Sequence, residues 1–182
     1  MFEFINRIPP LVRVPLRFGA IGGVLGFVLV IILYYIGRHP LLVAVPIFDF
    51  RVAVFGIFIY FILRELRDYH LGGLLFFWQG FIACGIFVIL YNVITCLLIW
   101  IFTKNVNGFV VEYINLATNQ LKTYPPEAIK QLGVENYEQS LIQLKSVTGE
   151  DLAGLYFRNG TIIGLFVSVI LSVILRRQPQ NP

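Results

Sequence analysis

Uncharged and charged residues alternate along this chain in long blocks. Phe18 to Gly37 runs 20 residues without a charge. A hydrocarbon core about 30 Å thick needs about 20 such residues in a helix. The spacing predicts a first transmembrane helix over 18–37. Val52 to Leu63 is uncharged for only 12 residues, and extending it back to Pro46 gives 18 but takes in Asp49 and Arg51. Pro46 suits a first helical turn. Asp49 suits the positive end of a helix dipole. Arg51 is expected to snorkel to the nearer headgroups. A second span is therefore predicted over 46–63. Leu71 to Thr103 is uncharged for 33 residues, or roughly 50 Å of helix, more than a bilayer needs. Gly72 and Gly73 supply a break, leaving a third span over 77–102. The last run ends at Arg176 and Arg177, predicting a fourth span over 157–175. Thr148-x-x-Asp151 has the form of a capping box, so this helix is expected to begin outside the membrane.

Between the third and fourth spans lies a polar insert over 104–156. Val110, Ile114, Ala117 and Leu121 follow 4, 3, 4 spacing, and Val134, Tyr137, Leu141 and Leu144 follow 3, 4, 3. Both patterns read as amphipathic helices, divided by Pro125-Pro126. The predicted fold is a single all-α membrane domain over 1–182: four transmembrane helices with an amphipathic helical, extracytoplasmic insert. No repeat of 20–50 residues is present.

Small residues mark the packing faces. Lipid gives apolar helices no hydrophobic reason to associate, so close packing must hold them. The fourth span carries Gly160, Gly164, Ser168 and Ser172 at i+4 spacing, and the first carries Gly19, Gly22, Gly23 and Gly26. The third carries Gly80, Cys84, Val88, Asn92 and Cys96 on one stripe. These faces are expected to pack within the chain; the alternative is a homodimer through the first helix. Gln79, Asn92 and Thr95 are the notable polar residues of the third span. An unpaired amide in hydrocarbon is costly, so Asn92 is expected to bond Ser168 or a tyrosine on another helix.

Composition sharpens this picture. Hydrophobic residues make up 58% of the 182 and charged residues 13%, against about 25% charged in a soluble domain. The chain is an integral membrane protein with the bilayer as its first partner. Its net charge of +4 sits at the ends of apolar runs, without the basic stripe and aromatics that nucleic acid requires. With the N-terminus inside, seven arginines and three acids fall on short inner segments, while seven bases and seven acids spread over longer outer ones. That asymmetry predicts N-in, C-in, with the insert on the outer, periplasmic side. Arg7, Arg13 and Arg17 precede a run too long for a cleaved signal, so it is read as an uncleaved anchor. Cys84 and Cys96 would lie roughly 18 Å apart on one helix, too far to pair. No Cys/His spacing suggests a metal, and no cofactor is expected.

Catalytic signatures are absent: there is no HExxH, GxSxG or Walker loop. Apart from Arg158, expected to snorkel outward from the first membrane turn of the fourth, the first, third and fourth spans have no Asp, Glu, His, Lys or Arg of the kind pumps use. His39 and His70 are isolated in sequence. One cluster stands out: Arg64-Glu65-Leu66-Arg67-Asp68-Tyr69-His70, before Gly72-Gly73. Arg64, Arg67 and His70 are candidates for a headgroup or partner contact, since guanidinium forks suit phosphate oxygens. The plainer reading is a solvated turn whose arginines set topology.

The stretch from Arg64 to Phe81, RELRDYHLGGLLFFWQGF, resembles the signature of a bacterial, Bacteroidetes-type family of four-helix membrane proteins, domain of unknown function 4199. The pattern is charged residues, Gly72-Gly73, then Phe77, Gln79 and Phe81. Phe76 and Trp78 stand where that pattern carries smaller residues. The resemblance implies a bacterial inner-membrane location and brings no activity with it. The expected function is a non-catalytic accessory or scaffold subunit that docks a membrane protein partner. The alternative is a small transporter or lipid-handling protein, for polyprenyl-linked sugars, using the polar positions Gln79, Asn92 and Thr95. An enzyme would need Asp49, His39 and the insert to meet.

Overall fold

The computed structural model describes residues 8–42 and 49–178. These form seven α-helices: α1 (Pro10–Tyr35), α2 (Phe50–Glu65), α3 (Phe77–Asn105), α4 (Asn107–Lys122), α5 (Pro126–Leu132), α6 (Val134–Lys145) and α7 (Gly149–Leu175). Among the described residues α1, α3 and α7 are long and apolar enough to cross a membrane. The chain is an all-α protein with membrane-like helices.

The helix limits depart from the expected spans where local chemistry overrides the apolar run. α1 starts at Pro10, eight residues before Phe18, and contains Pro15. Pro10 needs no donor in a first turn, and the charged residues Arg13 and Arg17 do not interrupt a helix that simply continues past the apolar segment. α2 is capped by Asp49, whose Oδ1 accepts from the Arg51 N–H at 2.9 Å. Its first helical residue is Phe50; Pro46, the expected start, lies outside the described residues. α2 ends in a π-helical turn over Leu66–His70. Gly72 and Gly73 then take φ of +60° and +84°, which side chains disfavour, and the chain turns into α3. The predicted capping box holds α7: Thr148 N–H donates to Asp151 at 2.9 Å, and the Asp151 N–H donates to Thr148 Oγ1 at 3.3 Å. Between α3 and α7, helices α4 and α6 cover the two segments whose apolar spacing predicts helix. A third, α5, is started by Pro126 and ended by Gly133 at φ +85°.

α3 is the hub, packing most heavily on α1 and α7, while α2 packs chiefly on α7. The glycine faces make this possible. A Cβ on Gly23 would lie 2.8 Å from Ile94 Cβ, and one on Gly164 2.6 Å from Val88 Cγ1. Helix backbones thus approach where glycine removes the side chain. The stripes on α1 and α7 are consumed inside the chain: Gly19, Gly22, Gly23 and Gly26 are buried, as are Gly160, Gly164, Ser168 and Ser172. Phe55 completes the centre, edge-on to Phe87 and Tyr91 at centroid separations of 6.1 and 4.8 Å. Outward faces are apolar instead, with Ile89 and Leu97 on α3 and Phe166 and Ile170 on α7 exposed.

Long-range contacts define the two ends of this bundle. At one end Arg17 pairs with Glu65 at 2.6 Å. There too Leu75 and Arg177 exchange backbone hydrogen bonds of 2.9 Å each way. The start of α1, the end of α2, the start of α3 and the end of α7 therefore meet. At the other end the start of α7 lies against the end of α3, with Gly149 directly beside Thr103. His39, just beyond α1, packs on Phe109 of α4 at 4.5 Å.

Candidate functional site

The arginine link between α2 and α3 is built by its own acids. Asp68 accepts from Arg67 Nε at 2.7 Å and lies 3.6 Å from Arg64 Nε. The link therefore brings Arg64 and Arg67 onto one carboxylate. The hydrogen bond from Arg67 holds the Asp68 carboxyl below its usual range and raises the Arg67 guanidinium. His70 turns elsewhere, its Nε2 3.9 Å from Glu65 Oε1. Glu65 is shared with Arg17. The Gly73 N–H closes the turn on the Arg67 carbonyl at 2.9 Å. Arg64 keeps a largely exposed side chain, while that of Arg67 is 15% exposed. The signature residues that follow restart the helix. Gln79 Oε1 accepts from the Phe76 N–H at 3.2 Å, satisfying one orphan donor of the first turn. Phe77 and Phe81 stack at 5.8 Å, one turn apart.

The polar residues of α3 divide between two neighbours. Thr95 Oγ1 donates to the Gly23 carbonyl of α1 and to the Tyr91 carbonyl, both at 2.9 Å. Asn92 faces α7 instead. Its Nδ2 donates to the Val88 carbonyl at 2.9 Å and lies 3.5 Å from Thr161 Oγ1. Neither Ser168 nor a tyrosine is its partner, contrary to the expectation from sequence. Ser168 bonds its own helix, donating to the Gly164 carbonyl at 2.6 Å. The reason is the close approach at Gly160, which sets the α7 backbone directly against Asn92 Oδ1 and leaves the amide to bond within α3. Gln79, Asn92 and Thr95 thus serve a helix cap, α7 and α1 respectively.

A further polar centre departs from the expectation for Arg51. Arg51 does not reach out to headgroups; it is 3% exposed, inside the bundle. Its Nε donates to Asp49 Oδ1 and Oδ2 at 2.8 and 2.9 Å. Its Nη2 pairs with Asp49, and its Nη1 donates to the Tyr156 carbonyl at 3.2 Å. The guanidinium lies 4.8 Å from the Tyr156 ring centroid, and the Tyr156 hydroxyl is 3.3 Å from that of Tyr91. A charge taken out of water needs such complete pairing. The signal was present as an acid and a base two residues apart at a helix start, which lets the capping Asp fold back onto the Arg.

His39 clamps the insert to the bundle. Nδ1 accepts from the Leu41 N–H at 3.4 Å, so the proton sits on Nε2 and is donated to the Phe109 carbonyl at 3.2 Å. Burial pulls the imidazole down to about 4, against the opposing pull of that carbonyl. The ring is therefore neutral at pH 7. His39 and Asp49 serve different partners, Phe109 and Arg51, and His70 lies at the opposite end. Among the described residues no three His, Cys, Asp or Glu are grouped to hold a metal.

Comparison with curated proteins and with solved structures returns no match. Residues 17–177 match the family described as protein of unknown function (DUF4199). That match runs from within α1 through the end of α7, with the arginine link and its glycine pair inside it, and the chain belongs to this family.

Proposed function

We propose that the protein is a non-catalytic accessory subunit of a bacterial inner membrane, anchored by its bundle and docking a membrane protein partner through its insert. The observation carrying this reading is a contrast in satisfaction. Arg51, Asp49, Thr95 and His39 are buried and bonded within the chain. The insert instead leaves Val111, Leu116, Val134 and Ile142 exposed outside the long apolar helices. The division of Asn92 and Thr95 between α7 and α1 supports docking over a translocation path along α3.

In this reading α2 is a fourth span. Its 16 residues cover roughly 24 Å, short for a bilayer, and it runs from the buried Arg51 at one level to Glu65 beside Arg17 at the arginine end. Four crossings return both termini to one side, in keeping with the contacts among Arg17, Glu65, Leu75 and Arg177. That end carries Arg13, Arg17, Arg64, Arg67, Arg176 and Arg177, which supports a cytoplasmic assignment by the positive-inside rule, with the insert periplasmic in this reading. Arg64 is then the exposed guanidinium available to a cytoplasmic headgroup or partner.

Purification in a mild detergent tests this reading. A partner recovered at constant stoichiometry, and lost when Val134 and Ile142 are changed to Gln, is the expected result. A bare monomer from native membranes contradicts it.

A further inference from the structure

At the insert end of the bundle a groove of about 560 Å³ opens between the close of α3, the start of α4 and the start of α7. Trp100, Lys104, Asn107 and Glu150 line it. The indole of Trp100 organises two opposite charges. Lys104 Nζ lies 3.8 Å from the ring centroid, covering one face. At the ring edge, Trp100 Nε1–H donates to Glu150 Oε1 at 3.2 Å. Among the described residues no ion pair joins Lys104 to Glu150. The groove therefore presents a separated ammonium and carboxylate, both exposed and both held by one half-buried tryptophan.

Its level in the molecule matters. Lys104 is the first charge after the uncharged run that ends at Thr103, and Trp four residues before it sits where indoles prefer the lipid headgroup layer. A ligand reaching this groove from the bilayer would arrive headgroup first. We propose that the groove binds the headgroup of a zwitterionic phospholipid carrying a primary ammonium, its phosphate on Lys104 and its ammonium on Glu150. A primary ammonium donates hydrogen bonds to the free lone pairs of the carboxylate. A choline headgroup cannot, and the indole face on the Lys104 side is closed to its quaternary nitrogen. A headgroup with net negative charge meets Lys104 but is repelled by Glu150.

The test uses the full chain in detergent with Trp78→Phe, which leaves Trp100 as the sole indole. Phospholipids with identical brominated acyl chains and ethanolamine, choline or glycerol headgroups are titrated, and quenching of Trp100 is followed. The expected result is saturable quenching by the ethanolamine lipid at roughly fivefold or lower concentration than the other two. Glu150→Gln keeps an acceptor for the indole N–H but removes the charge; it is expected to abolish the preference over choline. Lys104→Met keeps the stem over the ring and is expected to weaken all three lipids. Lys122→Met, away from the groove, should change nothing. Equal half-saturation for the three headgroups overturns the proposal, as does preference for the glycerol headgroup or an ethanolamine preference that survives Glu150→Gln. If a variant does not fold, the headgroup ranking of the parent protein decides alone.

Discussion

The bundle and the insert are both helical, yet they are held by opposite means. α1, α3 and α7 meet through glycines, and the buried Asp49 and Arg51 pair with each other inside the bundle. α6 has no buried residue at all, and α4 buries only Phe109 and Ala117. The insert is fastened at its roots, by His39 on Phe109 and by Glu150 on Trp100, and is open in its middle. Where backbone contact holds the helices, a single methyl group is felt; where helices only lean together, surface can change freely. Evolution can alter the insert's outer face without refolding the membrane part, which is the property a docking element needs.

Four changes rank this contrast. The largest effect is expected for Arg51→Met, which strands Asp49 as a buried unpaired charge and should cost about 3–5 kcal/mol. Unfolding by SDS titration in mixed micelles checks it, and the double variant with Asp49→Asn should recover most of the loss. Next is Gly164→Ala, whose methyl would fall 2.6 Å from Val88 Cγ1. Overpacking of this kind costs about 1–3 kcal/mol, and Val88→Ala in the same chain should relieve it.

Third is the pH response of the insert root. The folded-state value of His39, about 4, lies below the ordinary 6.5. The folded form thus prefers the neutral ring, and the undocked form binds the proton first. Docking is fully supported above pH 6.5 and weakens as pH falls from 6.5 towards 4. Protection factors of the amides in the first turns of α4, taken against the intrinsic exchange rate at each pH, should fall over that window, and His39→Phe should flatten the dependence. The smallest effect is expected for Ile142→Gln on the insert, 67% exposed; it should alter unfolding by no more than about 0.5 kcal/mol while weakening partner recovery.

Much of this architecture is written in local patterns. The capping box at Thr148 and Asp151, the break at Gly72-Gly73 and the glycine stripes each depend on neighbours a few residues apart, and each appears where its spacing places it. α5 has only seven residues, too few for periodicity, and is marked solely by Pro126 and Gly133. The burial of Arg51 rests on the Tyr156 carbonyl more than a hundred residues away, and the His39 clamp on the Phe109 carbonyl. Such backbone acceptors leave no trace in residue identity. Asn92 illustrates the same limit from the other side: its need for a partner was legible, but the partner depended on how closely Gly160 let α7 approach.

The contrast between a closed bundle and an open insert is tested most directly by photo-crosslinking in native membranes, with a benzophenone amino acid at Ile142 of the insert or at Ile89 on the outer face of α3. The account predicts one discrete protein adduct from position 142 and lipid adducts alone from position 89. Protein adducts at 89 with none at 142 would place the docking surface on the bundle and contradict it.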